Sequence, residues 1–212
     1  MENPVLIFGA KSLAAEALDI FLRNGVVVYG FLDDDKTLHN TEIGEVSVLG
    51  STDDDGFLKL IGKKCEAFVA LEERAERKNT VEMLHERRSV QPVNAVHDTA
   101  MVSTMASVGH GNFIGARVVI NTRALVGSHC LLHAGVIVEP NASIGDFAQI
   151  GAGSIIGNAA SVGENAFIGS GAVVVSGIKI GKGARVGAGS VVVENVPANA
   201  TVFGNPAQKV GK

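Results

Sequence analysis

From residue 102 a step of six lands on Val102, Val108, Ile114, Ile120, Val126, Leu132, Val138, Ile144, Ile150, Ile156, Val162, Ile168, Val174, Ile180, Val186 and Val192, sixteen apolar residues in succession without an insertion. An α-helix, at 3.6 residues per turn, cannot keep a period of six on one face. A left-handed parallel β-helix can, with three hexapeptides forming the three sides of each coil. Eighteen residues then make one coil, and residues eighteen apart become neighbours in adjacent coils. Residues 102–191 make five such coils, a prism roughly 24 Å long at the ~4.8 Å spacing of hydrogen-bonded strands. Four positions after each anchor stands a small residue, mostly Ala, Ser, Val or Cys, which reads as a second inward position.

The residue directly after the anchor is Gly at ten of the sixteen steps: 109, 115, 127, 145, 151, 157, 163, 169, 181 and 187. This position is expected to be a bend that uses glycine's conformational freedom. The departures are Ser103, Asn121, His133, Glu139, Val175 and Val193. Ser103 and Val193 fall at the ends, where a repeat frays. Asn121, His133 and Glu139 fall inside it and are polar, so each is expected to be kept for a contact. His133 and Glu139 carry the chemistry of a base and an orienting carboxylate; the competing reading makes both solvent-facing corner residues.

The first 96 residues follow another pattern. Val5 to Phe8 is an apolar run broken by Gly9, and the next stretch places Leu13, Ala17, Leu18, Ile20 and Phe21 on one helical face. Ser12 is expected to cap this helix and Gly25 to end it. Strands are expected over 26–32, 67–71 and 93–96, with a charged helix over 73–88. Strand and helix alternate, which predicts a small Rossmann-like parallel sheet. In such sheets ligands bind beyond the C-terminal strand ends, where a helix N-terminus favours phosphate. Gly9, Ala10, Lys11 and Ser12 occupy that turn, and Asp34, Asp35 and Lys36 follow the second strand. The turn lacks a GxGxxG fingerprint, so it serves equally as a tight strand-to-helix connection. The boundary between the two domains is expected at residues 96–97.

Composition narrows the partners. Formal net charge is −4, which offers no broad cationic field to nucleic acid. Cys65 and Cys130 lack metal-ligand or disulfide spacing and read as buried thiols of a reducing compartment. The N-terminal stretch lacks a signal-peptide pattern, and no apolar run approaches the ~20 residues of a spanning helix. A cytoplasmic protein without membrane, nucleic-acid or metal partners is expected.

The chain resembles the bacterial sugar O- and N-acetyltransferases of the hexapeptide-repeat acyltransferases. The likeness runs from VLIFGA and FLDDDK through NAVHDTAMV and the hexapeptides to VFGNPAQKV. It implies a nucleotide-sugar site in the first domain, with a UDP-sugar expected, acetyl-CoA as acyl donor, and a homotrimer of β-helices serving surface glycan synthesis. It implies a donor site along Gly157, Asn158, Ala159, Gly177, Gly189, Gly204 and Pro206. The family's catalytic stretch usually reads I-N-T-G-A-I-V-E-H-D before its I-G-D-F. Aligned there, this chain reads LHAGVIVEPNASIGDF. The family Glu falls on Glu139, its general-base His on Pro140, the following acidic residue on Asn141, the Asn on His133, and a further His on Gln149. The N-terminal turn departs too, with Lys11, Ser12 and Leu13 where Gly-Gly-His or Ser-Gly-His is common. Proline does no acid–base work, so His133, oriented by Glu139, is expected to replace the base. The alternatives are acyl transfer without a base and a catalytically silent trimeric scaffold that binds nucleotide sugar.

Overall fold

A computed structural model describes residues 3–210, and the chain divides after Asp98 into two compact units.

The first unit is an α/β sandwich around a five-stranded sheet. Its elements are β1 (Val5–Phe8), α1 (Ser12–Arg23), β2 (Val28–Leu32), β3 (Glu42–Ile43), β4 (Val46–Gly50), α2 (Asp55–Leu58), β5 (Glu66–Val69) and α3 (Arg74–Arg88). The sheet order is β3-β4-β2-β1-β5. β1, β2, β4 and β5 run parallel, and β3 closes an antiparallel hairpin on β4. β1 is wholly buried, as a central parallel strand covered on both faces should be. α1 buries Leu13, Ala14, Ala17, Leu18, Ile20 and Phe21. Its end is a Schellman turn: Gly25 takes φ 72°, its N–H donates to Leu22 O, and Val26 N–H donates to Phe21 O. The start differs from expectation. Ser12 is the first helical residue, and Lys11 precedes the helix in extended backbone without a side-chain capping bond. The hairpin and α2 lie in a stretch to which the apolar pattern assigned no element. The last expected strand shrinks to Ala95–Val96.

The second unit is the left-handed β-helix. Each hexapeptide gives a two-residue strand whose second residue is the anchor, buried from Ile114 onward. Three parallel sheets form its sides. One stacks strands from Met101–Val102 to Val191–Val192, another from Ser107–Val108 to Lys179–Ile180, and the third from Phe113–Ile114 to Arg185–Val186 and Thr201–Gly204. Partners stand eighteen residues apart throughout these coils, as in Val119 with Ile137 and Phe167 with Arg185. The last lap is two residues shorter: Ile180 bridges Val196, and Val186 pairs with Val202. The interior holds the anchors and the small inward residues, among them Ala124, Cys130, Val136, Ala148, Ser154 and Ala172, all fully enclosed.

The structure corrects the reason for the glycines. None of the residues directly after an anchor has positive φ; the left-handed residue stands two positions later, in steps of six from Gly111 to Gly189. That left-handed position holds Arg117, Arg123, His129, Asn141, Phe147, Ala159 or Asn165 as readily as glycine. Glycine after the anchor answers a close approach instead. A Cβ on Gly145 would lie 2.6 Å from Glu164 N, and one on Gly163 2.6 Å from Lys182 N.

Among the described residues no helix is long and apolar enough to cross a membrane. Cys65 and Cys130 are buried thiols, not joined in a disulfide.

Candidate functional site

In the first unit, β1, β2 and β5 end together. Gly9 has φ 104°, and a Cβ there would stand 2.7 Å from Ala70 O, so the turn needs glycine on both counts. The N–H groups of this turn are committed. Gly9 N–H donates to Leu32 O at 2.7 Å, and Ala10 N–H donates to Asp33 Oδ2 at 2.8 Å. Gly9 and Ala10 therefore shape the turn and do not present their amides to phosphate, contrary to expectation. Asp33 also accepts from Asp35 N–H at 2.9 Å and is buried, at 6% exposure. It ties the β1 turn to the end of β2.

Two cavities open beside this turn. One of 290 Å³ is lined by Lys11, Asp33, Asp34, Asp35, Thr52 and Glu76 among others, and one of 270 Å³ by Gly9, Lys11, Ser12, Glu72, Glu73 and Glu76 among others. The expected residues Gly9, Lys11, Ser12, Asp34 and Asp35 thus line adjoining spaces, with Lys11 common to both; Lys36 is exposed and lines neither. Asp34 accepts from Thr52 N–H and its hydroxyl, both at 2.9 Å. Asp35 accepts from the Thr37 hydroxyl at 2.6 Å and its N–H at 3.0 Å, and these bonds hold its carboxyl below the usual aspartate range. Arg77, 1% exposed, donates from Nη1 to Leu71 O at 2.7 Å and Glu72 O at 3.0 Å. It pins the loop after β5 that forms the cleft's far wall. A larger cavity of 520 Å³ lies at the opposite strand ends, against Val5 and Glu66, and contains none of the expected residues.

In the β-helix, His133 follows the strand Leu131–Leu132 at a corner of the prism and is half-buried. Its Nε2 lies 3.3 Å from Gln149 Nε2, and its ring tilts 51° against Phe113 with centroids 5.9 Å apart. Gln149 is the outward residue of the next strand on the same side. Glu139 stands at the following corner, beyond the strand Ile137–Val138, and its Oε2 accepts from Asn158 N–H at 2.7 Å. Its carboxylate is thus engaged with the neighbouring coil at its own corner, which displaces the expectation that Glu139 orients His133. Pro140 is half-buried beside it and its carbonyl accepts from Ala159 N–H at 3.1 Å; Asn141 is exposed with φ 59°.

The expected donor residues divide between two places. Gly157, Asn158, Ala159 and Gly177 share the corner of Glu139. Gly189 shares the corner of His133, and Gly204, with φ 108°, donates its N–H to Ser190 Oγ at 3.1 Å. Pro206 lies in the turn between the antiparallel strands Thr201–Gly204 and Ala207–Lys209.

Residues 105–140 match the hexapeptide repeat of succinyl-transferase, and residues 159–193 match the bacterial transferase hexapeptide (six repeats). No curated protein matches significantly. Among solved structures the chain is similar to a histidine-to-asparagine mutant of perosamine N-acetyltransferase from Caulobacter crescentus, in complex with CoA and GDP-perosamine. That match has 29% identity and a TM-score of 0.91 over 100% of this chain and 99% of that one. The chain thus carries the hexapeptide repeats of bacterial transferases and is similar along its whole length to a bacterial sugar N-acetyltransferase. The acetyltransferase domain of PglB from Neisseria gonorrhoeae, in complex with acetyl coenzyme A, is 25% identical with a TM-score of 0.78 over 99% of this chain and 100% of that one. WeeI from Acinetobacter baumannii shares the fold, at 22% identity and a TM-score of 0.76 over 98% and 99%.

Pro140, where the resemblance leads us to expect a general base, serves the next coil through its carbonyl, while the imidazole of His133 and the amide of Gln149 meet on an adjacent side. Asp33, Arg77 and Phe113 escaped the sequence reading. Nothing in the run Asp33-Asp34-Asp35 marks the first as the buried one. Phe113, however, lies eighteen residues before Leu131, so its place beside His133 follows from the coil length.

Proposed function

We propose that the chain transfers the acetyl group of acetyl-CoA to an amine or hydroxyl of a nucleotide-linked sugar in bacterial surface glycan synthesis. The observation that carries this reading is likeness along the whole chain to a perosamine N-acetyltransferase structure holding CoA and GDP-perosamine, which favours an amine acceptor. The nucleoside diphosphate lies in the first unit, over Lys11 and Ser12 with its ribose or base toward Asp34 and Asp35; UDP- and GDP-sugars are both candidates. The prism carries the donor, along Gly157, Asn158, Ala159 and Gly177 and the hairpin of Gly204 and Pro206.

His133 acts as the base. As the acceptor nitrogen attacks the thioester carbonyl, the C–N bond forms, the imidazole takes the amine proton, and as the C–S bond breaks it returns that proton to the departing sulfur, which leaves as the CoA thiol. Glu139, bound to Asn158, shapes the corner beside the missing base and does not handle the proton.

The working unit is a homotrimer in the cytoplasm. The side of the prism built on Met101–Val102 presents Met101, Val119, Ile137, Ile155, Val173 and Val191 outward, an aliphatic row without a charge. Threefold packing would cover such a row. Buried thiols outside any disulfide suit a reducing compartment.

A thiol-release assay with acetyl-CoA over a panel of UDP- and GDP-linked amino sugars tests the reading. We expect turnover with at least one sugar, and a loss of about 10²-fold in kcat/KM for His133→Ala, equal to about 2.7 kcal/mol of transition-state stabilisation. Undiminished activity in His133→Ala removes the relocated base. Nucleotide-sugar binding without thiol release from any acceptor would establish a silent scaffold instead, the reading that Pro140 favours.

A further inference from the structure

On the side of the prism built on Phe113–Ile114, the outward residues of four successive strands are Phe113, Leu131, Gln149 and Phe167. One side-chain amide thus stands in a row that is otherwise apolar. Phe113 and Leu131 are enclosed, at 1% and 0% exposure, and Gln149 is half-buried. An amide withdrawn from water in such a row needs a polar partner. That partner is His133, whose Nε2 lies 3.3 Å from the Gln149 Nε2.

Elementary chemistry decides which of the two nitrogens donates. An amide nitrogen carries hydrogens and offers no lone pair, so Gln149 Nε2 donates and His133 Nε2 accepts. A neutral imidazole that accepts at Nε2 carries its proton on Nδ1. A protonated ring would set N–H against N–H across the same distance. The contact therefore holds His133 neutral, in the Nδ1–H tautomer, with the lone pair on Nε2. Phe113 flanks the same ring, tilted 51° with centroids 5.9 Å apart, so the imidazole is bounded by an aromatic side chain as well as aimed by the amide.

We propose that Gln149 is a positioning residue of the acetyl transfer: it fixes the tautomer of His133 so that Nε2 is the proton-accepting atom, and yields that lone pair to the acceptor amine when the sugar binds. The proposal rests on the reading of His133 as the base. The proton passes from the acceptor nitrogen to Nε2 and then to the departing sulfur, and Gln149 takes no part in the transfer. Its amide marks instead where the acceptor nitrogen must come, on the Gln149 side of the ring and roughly 3 Å from Nε2. The opposite tautomer would present an N–H there and could take no proton, which is how a wrongly held histidine loses its catalytic power.

Nitrogen NMR of the full chain, labelled at histidine, reads the tautomer directly, with the His133 signals assigned by their loss in His133→Ala. We expect an unprotonated Nε2 and a protonated Nδ1 in the wild type. Gln149→Leu should abolish that preference and lower kcat about tenfold, with KM for acetyl-CoA unchanged. Gln149→Glu separates positioning from packing. It is nearly the same shape as glutamine, so a packing role predicts a milder effect than that of leucine. A carboxylate only accepts, however, and draws a proton onto Nε2, so the proposal predicts the larger loss, about 10²-fold near neutral pH. A wild-type His133 protonated at Nε2, or a Gln149→Glu variant as active as wild type, overturns the proposal. So does full activity in Gln149→Leu: if His133→Ala is fully active too, the base reading falls with it, and if His133→Ala alone is impaired, the base stands without this positioning residue.

Discussion

Two corners of the prism obey different rules. After the strands of Ser107–Val108 type stand Gly109, Gly127, Gly145, Gly163 and Gly181, without exception; after the strands of Met101–Val102 type stand Ser103, Asn121, Glu139, Gly157, Val175 and Val193. Both corners repeat every eighteen residues and place the left-handed residue two positions after the one that differs, so backbone conformation is not what separates them. The first corner packs coil on coil so closely that a methyl group would strike backbone. The second gives that closeness up at five of its six levels and gains side chains that reach along the stack, as Glu139 does to Asn158 N–H. One corner is built for stacking, the other for contacts, and Pro140 and Asn141, two of the positions where the resemblance leads us to expect other residues, lie at the second.

Three substitutions test that division, in descending order of effect. Gly163→Ala should be the most damaging. Its Cβ would lie 2.6 Å from Lys182 N and 2.8 Å from Gly181 C, atoms that move only if two coils part. We expect a loss of about 3 kcal/mol in urea unfolding; unchanged stability would break the comparison outright. Gly157→Ala, the lone glycine of the second corner, should cost less, about 1–2 kcal/mol. The contacts drawn are similar, 2.7 Å to Ser176 N and to Val174 O, but the levels on either side already accommodate side chains. A loss equal to that of Gly163→Ala would show that the tolerance is local to each level. Glu139→Gly restores the repeat's usual residue and should still destabilise slightly, by about 1 kcal/mol, through the lost bond to Asn158 N–H. A gain in stability would mean that Glu139 is kept for something other than the fold.

Much of this architecture can be read from the chain. The anchors and their eighteen-residue stacking follow from period alone, because a β-helix puts identical environments at identical steps. Alternation of apolar runs likewise marks β1, α1, β2, β5 and α3. The hairpin of Glu42–Ile43 with Val46–Gly50 escapes, since two or three apolar residues make no countable pattern. Ser12 misleads because a good capping residue stands one place inside the helix it was expected to start. At the site, residue numbers alone place Glu139 near Asn158 and His133 near Gln149, once coil length is known. They do not say which hydrogen bonds form, and the expected Glu139–His133 pairing fails for that reason: the carboxylate found an N–H at its own corner before it could reach another. Asp33 is the least legible residue, since its burial comes from the meeting of β1 and β2, which no local pattern records.

The shortened last lap bears on how the protein behaves in a crowd. A stack of identical coils has no inherent end: each terminal strand exposes a row of unpaired N–H and C=O groups to which another strand can add. Here the rhythm drops from eighteen residues to sixteen, and the chain then reverses direction, laying Ala207–Lys209 antiparallel along Thr201–Gly204. A parallel coil from a second molecule would find neither the spacing nor the strand polarity it needs on that side. Two missing residues and a reversal thus act against end-to-end polymerisation, and a fold that could have grown into a fibre is held to a finite particle.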